Sequence, residues 1–340
     1  MRMHTFLLLL MLSLLTACAP DAPEIIKIQG QAQGTTFHIN YWSATPVDHQ
    51  AVATAIEQTF DLIDTHLSNY RPDSEIEQFN SQLSTQSQTV VPEIVELVRI
   101  AEKVYEKSQG CFDLTIKPVF DLWGFAGETL NIPAAEQLAE QMAKVGMPKI
   151  QVQDDTHLSK LQQDVRIDVS AVAQGYSVGR ISQVLEQMGV SNYLVEIGGE
   201  LKSNGLKPDG LSWRVAIEKP LPGERKVHKV ITMPKESAMS IMTSGTYRHF
   251  YEQNGQRYSH ILDARTGKPV THDLVAVTVL HEDPTIADAW STALLCLGPS
   301  DGMKLANAEK LNAIFIRLHG SELLETRSEA LKTTTLVSIQ

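Results

Sequence analysis

The sequence predicts an α+β fold of mixed, largely antiparallel sheets packed with helices. Helical and strand periodicities alternate along its 340 residues without a strict βαβ rhythm. Asn254-Gly255 lies between two strand-like runs, Tyr247–Tyr251 and Arg257–Leu262, which is a strong hairpin signal. His319-Gly320 marks a similar turn near the C-terminus. Such short turns can only reverse the chain, so the sheets they build are antiparallel.

The N-terminus stands apart. Arg2 supplies a basic start, Phe6 to Leu15 is an almost unbroken apolar run, and Leu15-Thr16-Ala17-Cys18 follows. The run is too short to span a bilayer as a mature helix and reads as a secretory h-region. Small residues just before a cysteine suit a bacterial lipoprotein signal, with Cys18 lipidated as the new N-terminus. An ordinary signal peptide with an incidental cysteine is the plainer alternative. Residues 1–17 are then leader, 18–29 lipidated cysteine and tether, and 30–340 the globular domain. The expected location is the bacterial cell envelope, lipid-anchored and facing the periplasm. Ala19 rather than Asp follows the cysteine, which allows an outer-membrane destination.

Within the domain, Thr36 to Tyr41 reads as a strand with Phe37, Ile39 and Tyr41 on one face. Val52, Ile56, Phe60, Ile63 and Leu67 then recur at helical spacing. A second helix runs from Pro92 to Gly110, since proline suits a first turn and glycine a C-terminal cap. A third is expected over Pro133 to Gly146 and a fourth over Ala171 to Met188. Tyr193–Ile197, Trp213–Glu218 and Leu274–Leu280 read as strands.

The chain is 43% hydrophobic and 20% charged, ordinary for a globular protein. Its net charge is −11, and losing Arg2 with the leader takes it to −12. No clustered basic face offers a nucleic-acid footprint. An anionic ligand must therefore be held locally, by helix N-termini, backbone amides or a metal. Besides Cys18 there are two cysteines, Cys111 and Cys296. They can pair in an oxidising compartment, but one pair in a chain this size is no disulfide framework, and two buried free thiols are expected.

Four segments can carry chemistry. In Val165 to Tyr176 a strand ends near Asp168 and Ser170 stands as a helix N-cap, where free N–H groups attract phosphate or carboxylate. A plain capped helix explains the same residues. In His281 to Gly298, Asp283 caps a helix, Pro284 opens it and Gly298-Pro299 stops it. Asp288, Ser291 and Thr292 share one face, oxygen groups suited to a hard cation such as Mg²⁺, or simply a polar face. That face lacks Lys and Glu, so the helix reads as buried on both sides. Tyr258 to Pro269 places His260 near a strand end, where an imidazole can act as general base or be structural. Gly110 to Phe125 crowds aromatics after a helix, able to stack on a flat ring or to cover the core.

Taken together and in order, Ile167-Asp-Val-Ser-Ala-Val-Ala-Gln-Gly-Tyr176, Tyr193 to Glu200, Thr243-Ser-Gly-Thr-Tyr-Arg248, Ser259 to Gly267 and Ala287-Asp-Ala-Trp-Ser-Thr292 resemble the ApbE family of FAD:protein FMN transferases. The similarity runs from about Gly30 to the C-terminus, and the family's lipoprotein signal agrees with Cys18. It implies an ApbE-like domain with FAD as substrate and Mg²⁺ as cofactor. By resemblance Tyr70, Cys111, Phe112, Asp113, Asp168, Gln174 and Leu262 contact FAD. The carbonyl of Ala171, Asp288 and Thr292 match the Mg²⁺ site, with Ser291 where some relatives place a carboxylate. His260 matches the histidine that activates the acceptor hydroxyl. The acceptor implied is a protein with a flavinylation Thr or Ser, such as a membrane redox-complex subunit. Two departures stand out: Gln33-Gly34-Thr35 replaces the family's Met-Gly-Thr, and Gln174 stands where Lys is common. Both predict altered affinity rather than lost binding.

The alternatives within this reading are an FAD pyrophosphatase, in which water replaces the acceptor, and a non-enzymatic FAD-binding lipoprotein. A dinucleotide-dependent oxidoreductase is disfavoured, because no G-x-G-x-x-G joins a strand to a helix.

Overall fold

A computed structural model describes residues 23–127, 129–221, 226–247 and 250–340. The leader and Cys18 lie outside the described residues. Eight strands form one sheet: β1 (Ile26–Ala32), β2 (Thr35–Trp42), β3 (Asn192–Ile197), β4 (Glu200–Asn204), β5 (Met239–Gly245), β6 (Leu274–His281), β7 (Asn312–His319) and β8 (Glu322–Arg327). They lie side by side in chain order, and every neighbouring pair is antiparallel. The predicted largely antiparallel α+β fold is thus observed, as a meander into which the functional segments are inserted.

Helices cover one face of this sheet: α1 (His49–Leu67), α2 (Pro92–Lys107), α3 (Ser170–Gln187) and α4 (Pro284–Ala308). The predicted stripe of α1, Val52, Ile56, Phe60, Ile63 and Leu67, is buried in one core with Phe37, Ile39 and Tyr41 of β2. A small sheet of Arg214–Glu218, Val227–Thr232 and Ser338–Ile339 lies with the opposite core, where Val215, Ile217 and Ile231 meet Ile241, Ile314 and Ile316. Central strand β6 is buried from Leu274 to Leu280 because both of its faces are covered.

The turn chemistry works as read. Asn254 and Gly255 both take positive φ, 53° and 76°, and join Phe250–Gln253 to Gln256–Ser259. Gly320, at φ 61°, sits in the β7–β8 turn. Helix α2 ends at Lys107 rather than Gly110, because Gln109 and Gly110 turn left-handed at φ 54° and 81°. The helix expected over Pro133 to Gly146 is shorter, Ala135–Met142, and buries none of its residues.

Three expectations are corrected. Ser170 is the first residue of α3 and does not cap it; the Asp168 carboxylate accepts its N–H at 2.9 Å. No strand runs into Asp168. Residues 165–169 form no regular element and are clamped by side-chain amides: Asn80 Oδ1 accepts the Ile167 N–H at 2.7 Å and Asn69 Oδ1 that of Val169 at 2.8 Å. Cys111 and Cys296 are not free thiols but a disulfide, with Cα atoms 6.0 Å apart across 185 residues of sequence. Closing so long a loop stabilises the fold by about 5 kcal/mol in the chain-entropy account.

The predicted stop at Gly298-Pro299 is a break, not an end. Gly298 adopts φ 80° and ψ −176°, and Pro299 starts a second helical stretch to Ala308.

Helices α3 and α4 cross closely because α3 carries glycine at the contact. A Cβ built on Gly175 would meet the Pro284 carbonyl oxygen at 2.4 Å and Asp288 Cβ at 2.7 Å. Gly175→Ala is expected to lower stability by about 1–3 kcal/mol, the usual cost of overpacking, in urea denaturation. Unchanged stability would mean that α4 can back away from α3 freely.

Candidate active site

The α3–α4 crossing forms the floor of a cavity of about 1450 Å³. That exceeds the roughly 300–1,000 Å³ of common small-molecule sites and suits a dinucleotide-sized ligand. Its walls come from the β1–β2 hairpin, α1, the segment after α2, the start of α3, the end of β5, and residues 260–264.

On the floor, Asp288 is 8% exposed, and its Oδ2 accepts the Gly175 N–H at 2.9 Å. In a regular helix that same N–H faces the carbonyl of residue 171. The Ala171 carbonyl and the Asp288 carboxylate therefore gather around one amide. Burial pushes the Asp288 carboxyl up to about 7, with only the Gly175 N–H opposing the shift. Among the described residues, no cationic side chain contributes to that shift. Next to it, Ser244 Oγ lies 2.9 Å from Thr292 Oγ1 and 2.7 Å from Ser291 Oγ. A carboxylate, a carbonyl and hydroxyls, with no nitrogen or sulfur donor, fit a hard divalent cation such as Mg²⁺. A buried carboxylate lacking a cationic partner is also the feature a bound cation would relieve.

Of the predicted site residues, Ser291 alone stays behind the wall. It is fully buried, and its hydroxyl also donates to the Asp288 carbonyl at 2.9 Å. Asp288, Thr292 and Ala171 line the floor, and Asp168 and Gln174 line it nearby. Tyr70 stands on the rim, 76% exposed. Cys111, Phe112 and Asp113 line the cavity in the segment after α2, and His260 and Leu262 line it in the adjoining segment, where the Ala264 N–H donates to the Cys111 carbonyl at 3.3 Å. The structure thus gathers residues from 70 to 292 in one cavity.

Two of these side chains are bound into the fold. Asp113 accepts the Thr115 N–H at 2.7 Å and the Met147 N–H at 2.9 Å, which fixes the turn after Phe112. Burial raises its pKa, against these same hydrogen bonds. Gln174 lies against Gly198, whose φ of 61° and missing Cβ leave room for the amide. At the tip of the β1–β2 hairpin, Gln33 bonds Ser177 of α3 through both amide atoms, at 2.8 and 3.0 Å. The polar departure at Gln33 therefore ties the hairpin to the floor.

The Gly110–Phe125 segment forms a short helix, Lys117–Trp123, rather than a loop. Phe120, Phe125, Phe250 and Tyr251 line the cavity from this side, and Phe125 stacks on Tyr251 with ring centres 5.6 Å apart. The Tyr251 hydroxyl donates to the Gly127 carbonyl at 2.9 Å, joining this segment to the hairpin that precedes His260. An aromatic wall of this kind suits a flat ring.

Sequence reasoning missed Ser244, Asn69 and Asn80. The two asparagines carry no local pattern beyond their type. Ser244 sits in a quoted motif, yet its approach to Thr292 depends on the pairing of β5 with β6, which is invisible along the chain.

The ApbE family matches over residues 33–315. The chain belongs to the ApbE family. It is 35% identical over 308 residues to the FAD:protein FMN transferase of Vibrio cholerae serotype O1, covering 90% of this chain and 91% of that one. The FAD:protein FMN transferase of Escherichia coli K12 is 34% identical over 322 residues, 92% and 90% of the two chains. In three dimensions this ApbE-family chain superposes on the flavin transferase ApbE of Vibrio cholerae with a TM-score of 0.83 at 32% identity, covering 91% of this chain and 99% of that one. It matches the apo form of Pseudomonas stutzeri flavinyl transferase ApbE with a TM-score of 0.83 at 34% identity, over 91% and 96%.

Asn80→Ala removes the partner of the buried Ile167 N–H and one of the two donors to the Ile167 carbonyl, which Asn80 Nδ2 reaches at 2.8 Å and Asn69 Nδ2 at 2.9 Å. Stranding that buried N–H is expected to cost about 1–3 kcal/mol in chemical denaturation and to weaken ligand binding at Asp168. A fully stable variant would show that water or rearrangement replaces the clamp.

Proposed function

We propose that the chain transfers FMN from FAD to a Thr or Ser hydroxyl of an acceptor protein, releasing AMP, with Mg²⁺ as cofactor. The observation that carries this reading is one cavity holding both the Asp288, Ala171 and Thr292 oxygens and His260, in a chain of this family. Relatives named FAD:protein FMN transferase, matched over about nine-tenths of this chain, supply the reaction.

The charge of the lining supports the need for a cation. Seven carboxylates line the described cavity, on Glu57, Asp61, Asp64, Asp113, Asp168, Glu200 and Asp288, against one guanidinium, Arg71. Arg71 is already paired with Asp64 at 2.6 Å and Asp73 at 2.7 Å. A diphosphate entering this field meets repulsion unless a cation accompanies it. Asp288, Thr292 and the Ala171 carbonyl would hold that cation, with Ser291 supporting them through Ser244. When bound, Mg²⁺ supplies charge neutralisation at the phosphoryl oxygens.

The chain's own residues then do the following. The aromatic wall and Tyr70 take the flavin ring, and the segment from Cys111 to Asp113 borders it. Asp168, Gln174 and Leu262 hold the remainder of FAD. His260 takes the proton from the acceptor hydroxyl as its oxygen attacks the FMN-side phosphorus. The bond from that phosphorus to the AMP oxygen breaks, and AMP leaves. Lipidation at Cys18 and a tether through residue 29 would hold domain 30–340 at the periplasmic face of the envelope, within reach of a membrane redox-complex subunit as acceptor.

The test is in-gel flavin fluorescence after incubation with FAD, Mg²⁺ and a threonine-bearing acceptor domain. A fluorescent acceptor band that vanishes with EDTA is expected. Free FMN and AMP without a band would replace the transferase with a pyrophosphatase. Asp288→Ala is expected to abolish metal-dependent turnover, and near-normal activity would remove Asp288 from the metal site. His260→Ala should keep FAD binding while transfer slows by about 10²–10⁴, the span of a lost general base. An unchanged rate would exclude His260 from that role.

A further inference from the structure

Among the described residues, the one covalent link in the cavity wall joins two elements that the proposed reaction needs. Cys111 lies in the segment that continues through Phe112 to Asp113. Cys296 lies on α4 one turn beyond Thr292, on the same side of the helix. Both cysteines line the cavity, and they are only 1% and 4% exposed, so the cavity is the natural approach to their sulfurs. The Cys111 carbonyl also accepts the Ala264 N–H at 3.3 Å, which brings the segment after His260 to the same point. Three walls thus converge on one disulfide.

We propose that the Cys111–Cys296 disulfide is a redox switch on FAD binding: a dithiol reductant opens it, and the opened form holds FAD more weakly. The step balances as a two-electron exchange. The dithiol gives two electrons and two protons to the two sulfurs and closes its own disulfide, leaving Cys111 and Cys296 as thiols.

The geometry keeps the change local. On one side of Cys111 the chain already turns through two left-handed residues, Gln109 and Gly110. On the other, Asp113 anchors it to Thr115 and Met147 with hydrogen bonds that do not involve the sulfurs. Opening the bond therefore removes the covalent tie between Cys111 and α4, letting the Cys111 and Phe112 side chains shift against that helix, while their N–H bonds to Ser108 and the flanking elements stay in place. FAD seated in the cavity covers the sulfurs and favours the closed wall, so binding and oxidation assist each other. The coupling is reciprocal: the factor by which reduction weakens FAD is the factor by which FAD disfavours reduction.

This inference rests on FAD occupying the cavity, and its test separates the two ideas. FAD affinity is measured with Mg²⁺ on the purified full-length protein, oxidised and after dithiothreitol, with thiols counted by mass after alkylation and folding followed by circular dichroism. The expected result is a Kd at least tenfold higher in the reduced protein, which remains folded. In dithiothreitol redox buffers, saturating FAD should then move the reduction midpoint about 30 mV lower for each tenfold of coupling. Cys296→Ser should bind as weakly as the reduced protein and ignore dithiothreitol. Equal affinity in both redox states, with two new thiols confirmed, overturns the switch alone. Global unfolding on reduction overturns it as well, making the bond purely structural. Absence of FAD binding to the oxidised protein overturns the cavity assignment and the switch with it.

Discussion

The contact between Gly175 of α3 and Asp288 of α4 sets the geometry of everything around it. One backbone N–H, 2.9 Å from a buried carboxylate, fixes the carboxylate's orientation and places it beside the first turn of α3. Only a glycine permits this approach, since the Pro284 carbonyl stands where a Cβ would go. The two helices are more than 100 residues apart in sequence, yet both pack on the same face of the sheet, and that shared support holds the contact. Asp288 is then a charge-bearing group in a nearly dry place with one neutral donor. Such a group is poorly satisfied by the protein alone, which is a reason to read it as half of a binding site rather than as part of the core.

The meander explains how a simple sheet can carry so composite a site. Neighbouring strands of the sheet follow one another in chain order, some joined by tight hairpins such as β1–β2, β3–β4 and β7–β8, others across long insertions, so that Trp42 of β2 pairs with Asn192 of β3. Insertions between β2 and β3, between β5 and β6 and between β6 and β7 deliver, in turn, α1 to α3 with the aromatic segment, the hairpin leading to His260, and α4. Insertions and strand ends carry most of the polar side chains of the cavity, with a few from within strands, such as Gln29 and Thr243. Function can therefore reside in segments whose loss would leave the sheet's pairing intact.

Much of this was legible in the sequence because it is local. Apolar spacing in Val52 to Leu67 and in Phe37 to Tyr41, proline at helix starts, and Asn254-Gly255 are decided by neighbours a few residues away. The site was legible as a family pattern, and as hypotheses at Asp288 and His260, but not as an assembly. What stayed hidden is non-local. The clamp by Asn69 and Asn80 replaces a strand partner that periodicity led one to expect. The Ser244 hydroxyl meets Thr292 through sheet pairing. The disulfide spans 185 residues and depends on where α2 ends relative to α4. Ser170 failed as a cap for a related reason: the helix begins one residue earlier than expected, with the Ser170 N–H bonded to Asp168 and the Val172 and Ala173 N–H groups to the Val169 carbonyl.

The acidity of the cavity bears on how the parts act together. A lining with seven carboxylates and a single, already paired guanidinium offers a diphosphate no direct charge partner among the described residues. In many anion sites Lys and Arg bind the phosphate outright. Here Gln174 lines the cavity, an amide able to donate a hydrogen bond but carrying no charge. On the proposed reading, affinity for FAD draws on three sources: a cation held with Asp288, aromatic contact with the flavin ring, and a wall kept in shape. Removing the metal would take away the first and leave the second, and the third would rest on the Cys111–Cys296 bond. On that reading, with a single, already paired guanidinium among the described lining residues, small displacements of Phe112 against α4 would translate into binding. The same shortage of positive charge among the described residues would ease departure of an anionic product once the cation is released, which a transferase needs for its next turnover.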